Sequence, residues 1–174
     1  MEVARTLAGL NIEAVYSSDL KRAVDTARPI ARDHGVEVTP VRDLREIDQG
    51  QWTGLTLDEI ARRWPERWGP ARHYTARPGG ESPDQVRYRA VAAVMWIVRE
   101  HPRGSVVIVS HGGTMRWLVA EALGYDDRRS STLRGVPNGG IVSFDAELTA
   151  DGELIMRNLR RLDHKSTDAN DPNQ

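Results

Sequence analysis

The chain has 174 residues, 24 basic and 25 acidic side chains and no cysteine, a length that predicts one compact domain with one core. A net charge of -1 gives neither a polyanion nor a membrane surface a reason to bind, so a small ligand is the expected partner, with no nucleic acid and no membrane. The missing cysteines exclude disulfides and thiolate metal sites, and no apolar run reaches a membrane span or a signal-peptide centre, so the expected compartment is the cytoplasm.

In chain order, Val3, Leu7 and Leu10 fall at helical spacing, so the sequence is expected to begin inside an amphipathic helix with no N-cap ahead of it. "IEAVYSS" reads as a short strand. Ser18 or Asp19 is the expected cap of a helix through "LKRAVDTARPIARDH", bent at Pro29 and closed by Gly35. "VEVTPV" is a second strand and "LREIDQGQWTG" a loop; "TLDE" at 56–59 is a capping box for a helix reaching Trp64. After a Pro, Gly and Arg-rich loop, Ser82 and Pro83 take the N-cap and first positions of a long helix whose apolar face includes Val86, Val91, Val94, Ile97 and Val98. "VVIV" is apolar on both sides, as in a parallel strand covered by helices, and "TMRWLVAEAL" is a helix stopped by Gly124. "GIVSFDAE", an "ADG" turn and "ELIMRNLRR" form a closing hairpin, and polar residues 163–174 are an expected disordered tail behind a single domain over 1–162.

Strands alternating with helices predict a three-layer α/β/α fold with a mostly parallel central sheet, whose ligands bind beyond the carboxyl ends of the strands. Two segments satisfy that rule. Arg22 stands in the first turn of the helix after "VYSS", beside backbone N–H groups without helical partners. His111 ends the "VVIV" strand, and Gly112 and Gly113 let backbone approach a ligand at the next helix start. Taken singly, Arg22 reads as readily as a solvated helix arginine, His111 as a strand-end residue bonding carbonyls, and Glu46 as a surface charge. The remaining histidines, His34, His73, His101 and His164, lack metal-ligand spacing and read as surface residues. The chain contains no P-loop, dinucleotide fingerprint, nucleophile elbow or H-E-x-x-H helix, so nucleotide, serine-hydrolase and zinc-protease chemistry lose support.

"SSDLKRAVDTA", "LREIDQGQWTGLT", "PGGES" and "VVIVSHGG", in this order, resemble the histidine phosphatase superfamily, also called phosphoglycerate-mutase-like, over nearly the whole chain. The resemblance implies that Arg22 binds the transferring phosphoryl oxygens, that His111 donates to them and stabilises their charge when protonated, and that Glu46 protonates the leaving alkoxide. It implies backbone N–H from Gly112 and makes Asn138 a candidate substrate contact, with no cofactor, no metal and a small phosphorylated substrate; it leaves the oligomeric state open. From the residues themselves, Trp52, Trp64, Trp68, Trp96 and Trp117 read mainly as core or rim aromatics, although Trp52, in a Gly-flanked loop, could touch a ligand. The family nucleophile is a histidine in an Arg-His-Gly motif ending an earlier strand. Residues 1–14 hold no such motif, so the first strand is expected to be missing and the chain to be an N-terminally shortened form of the working enzyme. The alternatives are a non-catalytic binder of phosphorylated ligands and a phosphoglycerate mutase. The short segment from Gly54 to Gly79, with "IDQGQWTG" where mutases carry Arg-His-Tyr-Gly, favours the phosphatase branch. In that segment Arg62, Arg63, Arg67, Arg72 and Arg77 would either grip a second anion or form a solvated surface.

Overall fold

In a computed structural model, residues 2–69, 75–126, 129–130 and 133–162 are described; Arg72, His73, His164 and the expected tail lie outside them. Among the described residues the main elements follow in the order α1 (Glu2–Leu7), β1 (Ile12–Ser18), α2 (Lys21–Asp33), β2 (Val38–Val41), α3 (Leu57–Arg63), α4 (Pro83–Glu100), β3 (Ser105–Val109), α5 (Gly112–Ala122), β4 (Val142–Leu148) and β5 (Leu154–Arg161). Among the described residues no helix is long and apolar enough to cross a membrane.

The strands β2, β1 and β3 lie side by side in that order, all parallel, with Val15 opposite Val38 and Val107, and Ser17 opposite Val109. Side chains of a strand alternate between faces, and the core divides accordingly. Val15, Val107 and Val109 meet α1 and α2 through Leu7, Ala27 and Ile30. Ala14, Tyr16, Val106 and Ile108 meet α4 through Ala93 and Ile97. Three layers result. The antiparallel pair β4–β5 packs Phe144, Leu154 and Met156 against α4 and α5, through Val94 and Leu118, and on Ile108 of β3.

One expectation is qualified here. "VVIV" reads as a parallel strand covered by helices on both sides, yet Val106 to Val109 are only partly buried. The reason is lateral: among the described residues β3 is hydrogen-bonded on one side only, to β1, and the hairpin forms a sheet of its own. The caps also differ from expectation at one helix. Thr56 with Glu59, and Ser82 with Gln85, form full capping boxes on α3 and α4. The N-cap of α2 is Leu20, without a side-chain cap, because Ser18 and Asp19 are occupied elsewhere.

Candidate active site

Because β1 and β3 are adjacent and parallel, their carboxyl ends coincide, and the residues that follow each strand are brought together. Arg22, on the first turn of α2, donates Nε–H to His111 Nδ1 at 3.2 Å, and His111 Nε2 lies 2.8 Å from Ser18 Oγ. His111 and Ser18 are buried while Arg22 is exposed. A guanidinium can only donate, so Nδ1 carries the lone pair, the ring proton sits on Nε2, and that N–H donates to Ser18. Here His111 is therefore a neutral imidazole. Burial, then the positive charge of Arg22, hold it below the ordinary histidine range, with Glu46 pulling the other way. The charged role implied by the resemblance thus requires an arriving anion to raise the imidazole.

This arrangement fixes the sign of a pH effect. An unfolded histidine takes up a proton near pH 6.5, whereas the buried ring resists it, so below that pH the unfolded chain binds more protons. Stability contributed by His111 is present above about pH 6.5 and is lost as pH falls toward the depressed folded value. Urea unfolding at pH 7.5 and 5.5 should show a smaller loss in His111→Ala than in the parent; equal losses would refute the assignment.

Glu46 lies in the strap between β2 and α3, half-buried. Its Oε1 accepts the Ile47 N–H and its Oε2 the Gly113 N–H, each at 3.0 Å, with Thr114 Oγ1 3.4 Å away. A carboxylate at the amino end of α5 is electrostatically at home there. A Cβ at Gly113 would stand 2.5 Å from Glu46 Oε1, so the carboxylate reaches the helix only because residue 113 has no side chain. The structure thus joins Arg22, His111 and Glu46 around the start of α5. Asp19 pairs with Arg45 through two 2.6 Å bonds, which hold its carboxyl below the usual range.

The other expected residues are placed differently. Gly112 opens α5, accepts Val136 N–H at 3.3 Å, and leaves no room for a Cβ, which would stand 2.5 Å from Val136 O. Asn138 is exposed on the loop that Val136 fastens to Gly112. Trp52 is not an open contact surface: it is 5% exposed, with Trp64 and Trp68 against it at 6.3 and 6.0 Å and the Arg77 guanidinium 4.9 Å over its ring. The loop folds on its own indoles, which takes their apolar area out of water. His101 is not a plain surface residue either, since its Nε2 meets Tyr16 Oη at 2.8 Å. Ser18 and Thr114 were the site residues that sequence reasoning passed over; Ser18 stands in the "SSDL" segment, where only a helix cap was sought.

Residues 1–158 match the family described as the histidine phosphatase superfamily, branch 1. Similar proteins include phosphoserine phosphatase 1 of Hydrogenobacter thermophilus, 34% identical over 71% of this chain and 60% of that protein. Another is the glucosyl-3-phosphoglycerate phosphatase of Mycolicibacterium vanbaalenii, 32% identical over 86% of this chain and 71% of its own length. The native structure of a mycobacterial glucosyl-3-phosphoglycerate phosphatase superimposes with a TM-score of 0.78 at 30% identity, over 92% of this chain and 79% of that one. The chain spans 60%, 45% and 50% of the length of three curated relatives it matches, the second being a metal-independent phosphoserine phosphatase of Arabidopsis thaliana.

Proposed function

Because the chain belongs to the histidine phosphatase superfamily, branch 1, we propose that it forms the phosphoryl-handling core of a cytoplasmic phosphomonoester hydrolase acting on a small phosphorylated substrate. The observation that carries this reading is the 3.2 Å contact of Arg22 with His111 at the joined ends of β1 and β3, beside a carboxylate seated on α5. Arg22 supplies fixed positive charge, a fork of N–H donors and a geometry suited to phosphoryl oxygens. His111 supplies a donor that becomes cationic as negative charge gathers. Glu46 supplies the proton.

The reaction runs in two steps. A histidine nitrogen attacks phosphorus, the ester P–O bond breaks, and Glu46 gives its proton to the departing alkoxide. Water then attacks phosphorus, Glu46 accepts its proton, the P–N bond breaks, and phosphate leaves with the nucleophile restored. The attacking histidine, as the resemblance implies, stands in an Arg-His-Gly motif, and the 174 residues contain no such motif. No metal is required by this scheme, since Arg22, His111 and the helix ends already supply the positive field.

The test is hydrolysis of para-nitrophenyl phosphate in the presence of chelator, by the 174-residue chain and by the same chain preceded by a strand ending in Arg-His-Gly. Chelator-insensitive turnover by the second supports the hydrolase. Binding of inorganic phosphate without turnover by either supports the non-catalytic binder instead.

A further inference from the structure

The "PGGES" motif lies away from the Arg22–His111 pair, and its glutamate explains what it does. Glu81 precedes the N-cap of α4, and Arg89 lies further along the same helix. Arg89 is 15% exposed in its side chain, and all five of its N–H donors are used. Nε and Nη2 bind the two Glu81 carboxylate oxygens at 2.7 and 2.9 Å. Nη1 donates to the carbonyls of Asp43 and Arg45 at 2.6 and 2.7 Å, and Nη2 to that of Glu46 at 3.2 Å. Glu81 Oε2 in turn accepts the Asp48 N–H at 2.9 Å, while the backbones of Glu81 and Asp48 are joined at 3.0 Å.

These bonds fall on one object, the strap over residues 43–48. From α4 a single guanidinium gathers three of its carbonyls and, through Glu81, its amide at 48. From the other side Thr114 donates to the Arg45 carbonyl at 2.8 Å. The strap has little regular structure to hold it, so its peptide orientation is set by these side chains. Glu46 is its functional member, and its own carbonyl is one of Arg89's acceptors. Arg89 keeps the Glu81 carboxyl below the usual carboxylate range, so the clamp stays ionised into more acidic solution than a free carboxylate would.

We infer that Arg89, with Glu81, is a positioning residue for Glu46: it orients the strap so that the Glu46 carboxylate seats on the Gly113 N–H beside His111. The role of Glu46 in the reaction rests on the hydrolase reading, but the clamp itself does not. Lysine keeps the charge of Arg89 and loses the planar fork, so it cannot serve three carbonyls and a carboxylate together.

The decisive experiment follows the Gly113 amide resonance and its exchange rate in the 174-residue chain. Glu46→Gln defines the resonance when the carboxylate is gone. Arg89→Lys should move Gly113 toward that position and speed its exchange by about tenfold or more. Arg87→Lys, whose arginine pairs with Glu121 from the same helix, should leave Gly113 where it was. If Arg89→Lys does not fold, Glu81→Gln weakens the clamp while retaining the three carbonyl bonds, and should shift Gly113 in the same direction. In the complete hydrolase, Arg89→Lys should lower kcat by on the order of 10²-fold with little change in KM, as a misplaced catalytic group does. A folded Arg89→Lys chain whose Gly113 matches the parent overturns the inference whatever the turnover. Absent hydrolysis with a shifted Gly113 would instead overturn the hydrolase reading and leave the clamp standing.

Discussion

His111→Ala should lower phosphomonoester turnover by the complete enzyme by on the order of 10²–10³-fold, the usual cost of removing one preorganised donor to a developing negative charge. The loss should fall on kcat more than on KM. Arg22 keeps its charge in the variant and continues to hold the phosphate, whereas the Nε2–H and the capacity to gain a proton disappear together. Ser18, fully buried, would lose the ring that donates to it. His111→Gln offers an N–H near the same place without a titrating ring, so it should recover part of the lost rate and flatten the pH dependence. Steady-state kinetics at several pH values, with phosphate inhibition as a measure of binding, separate the two contributions. A kcat for His111→Ala within about threefold of the parent, less than 1 kcal/mol of barrier, would remove His111 from the mechanism.

The meeting of Arg22 with His111 was legible because it depends on local signals. Each residue follows an apolar strand and enters a helix, and parallel strands side by side align those ends. The capping box at Thr56 and the N-cap at Ser82 were legible for the same reason, since each is contained in a few consecutive residues. Glu46 was found by resemblance, but its seat on Gly113 was not, because that bond joins residues 67 apart in the chain. The same distance in sequence hides Arg89, whose strap acceptors lie 43 to 46 residues away and whose position on α4 resembles any helix arginine. At Trp52 the Gly-flanked loop left a ligand contact open beside a core reading, and what decides its burial, the packing of Trp64 and Trp68 against it, joins residues 12 and 16 apart in the chain. The histidine tautomer also lay beyond sequence, since it is decided by which atom of Arg22 faces which atom of the ring.

Gly50→Ala should be among the most destabilising single-methyl changes in the chain, at about 2–5 kcal/mol, and Gly54→Ala should cost only about 1–2. The two glycines stand four residues apart in one loop and both have left-handed backbone, with φ of 51° and 78°. Any L side chain there carries the steric penalty of that conformation, about 1–2 kcal/mol. They differ in their surroundings. Around Gly54 a Cβ would meet nothing within 4 Å, whereas at Gly50 it would stand 2.3 Å from Pro78 O and 2.5 Å from Gly80 N. Those are backbone atoms, which cannot rotate aside, so overpacking adds about 1–3 kcal/mol. The contact that must open is the one at which Gln51 N–H donates to Pro78 O at 2.8 Å, where the loop after Glu46 closes on the approach to α4. Gly50→Ala should therefore also loosen the Asp48–Glu81 junction and reduce turnover, while Gly54→Ala leaves it intact. Urea unfolding of both variants at one pH gives the comparison. Equal losses would mean that the chain relaxes around residue 50, and that the close approach of the two loops does not hold the Glu46 strap in place.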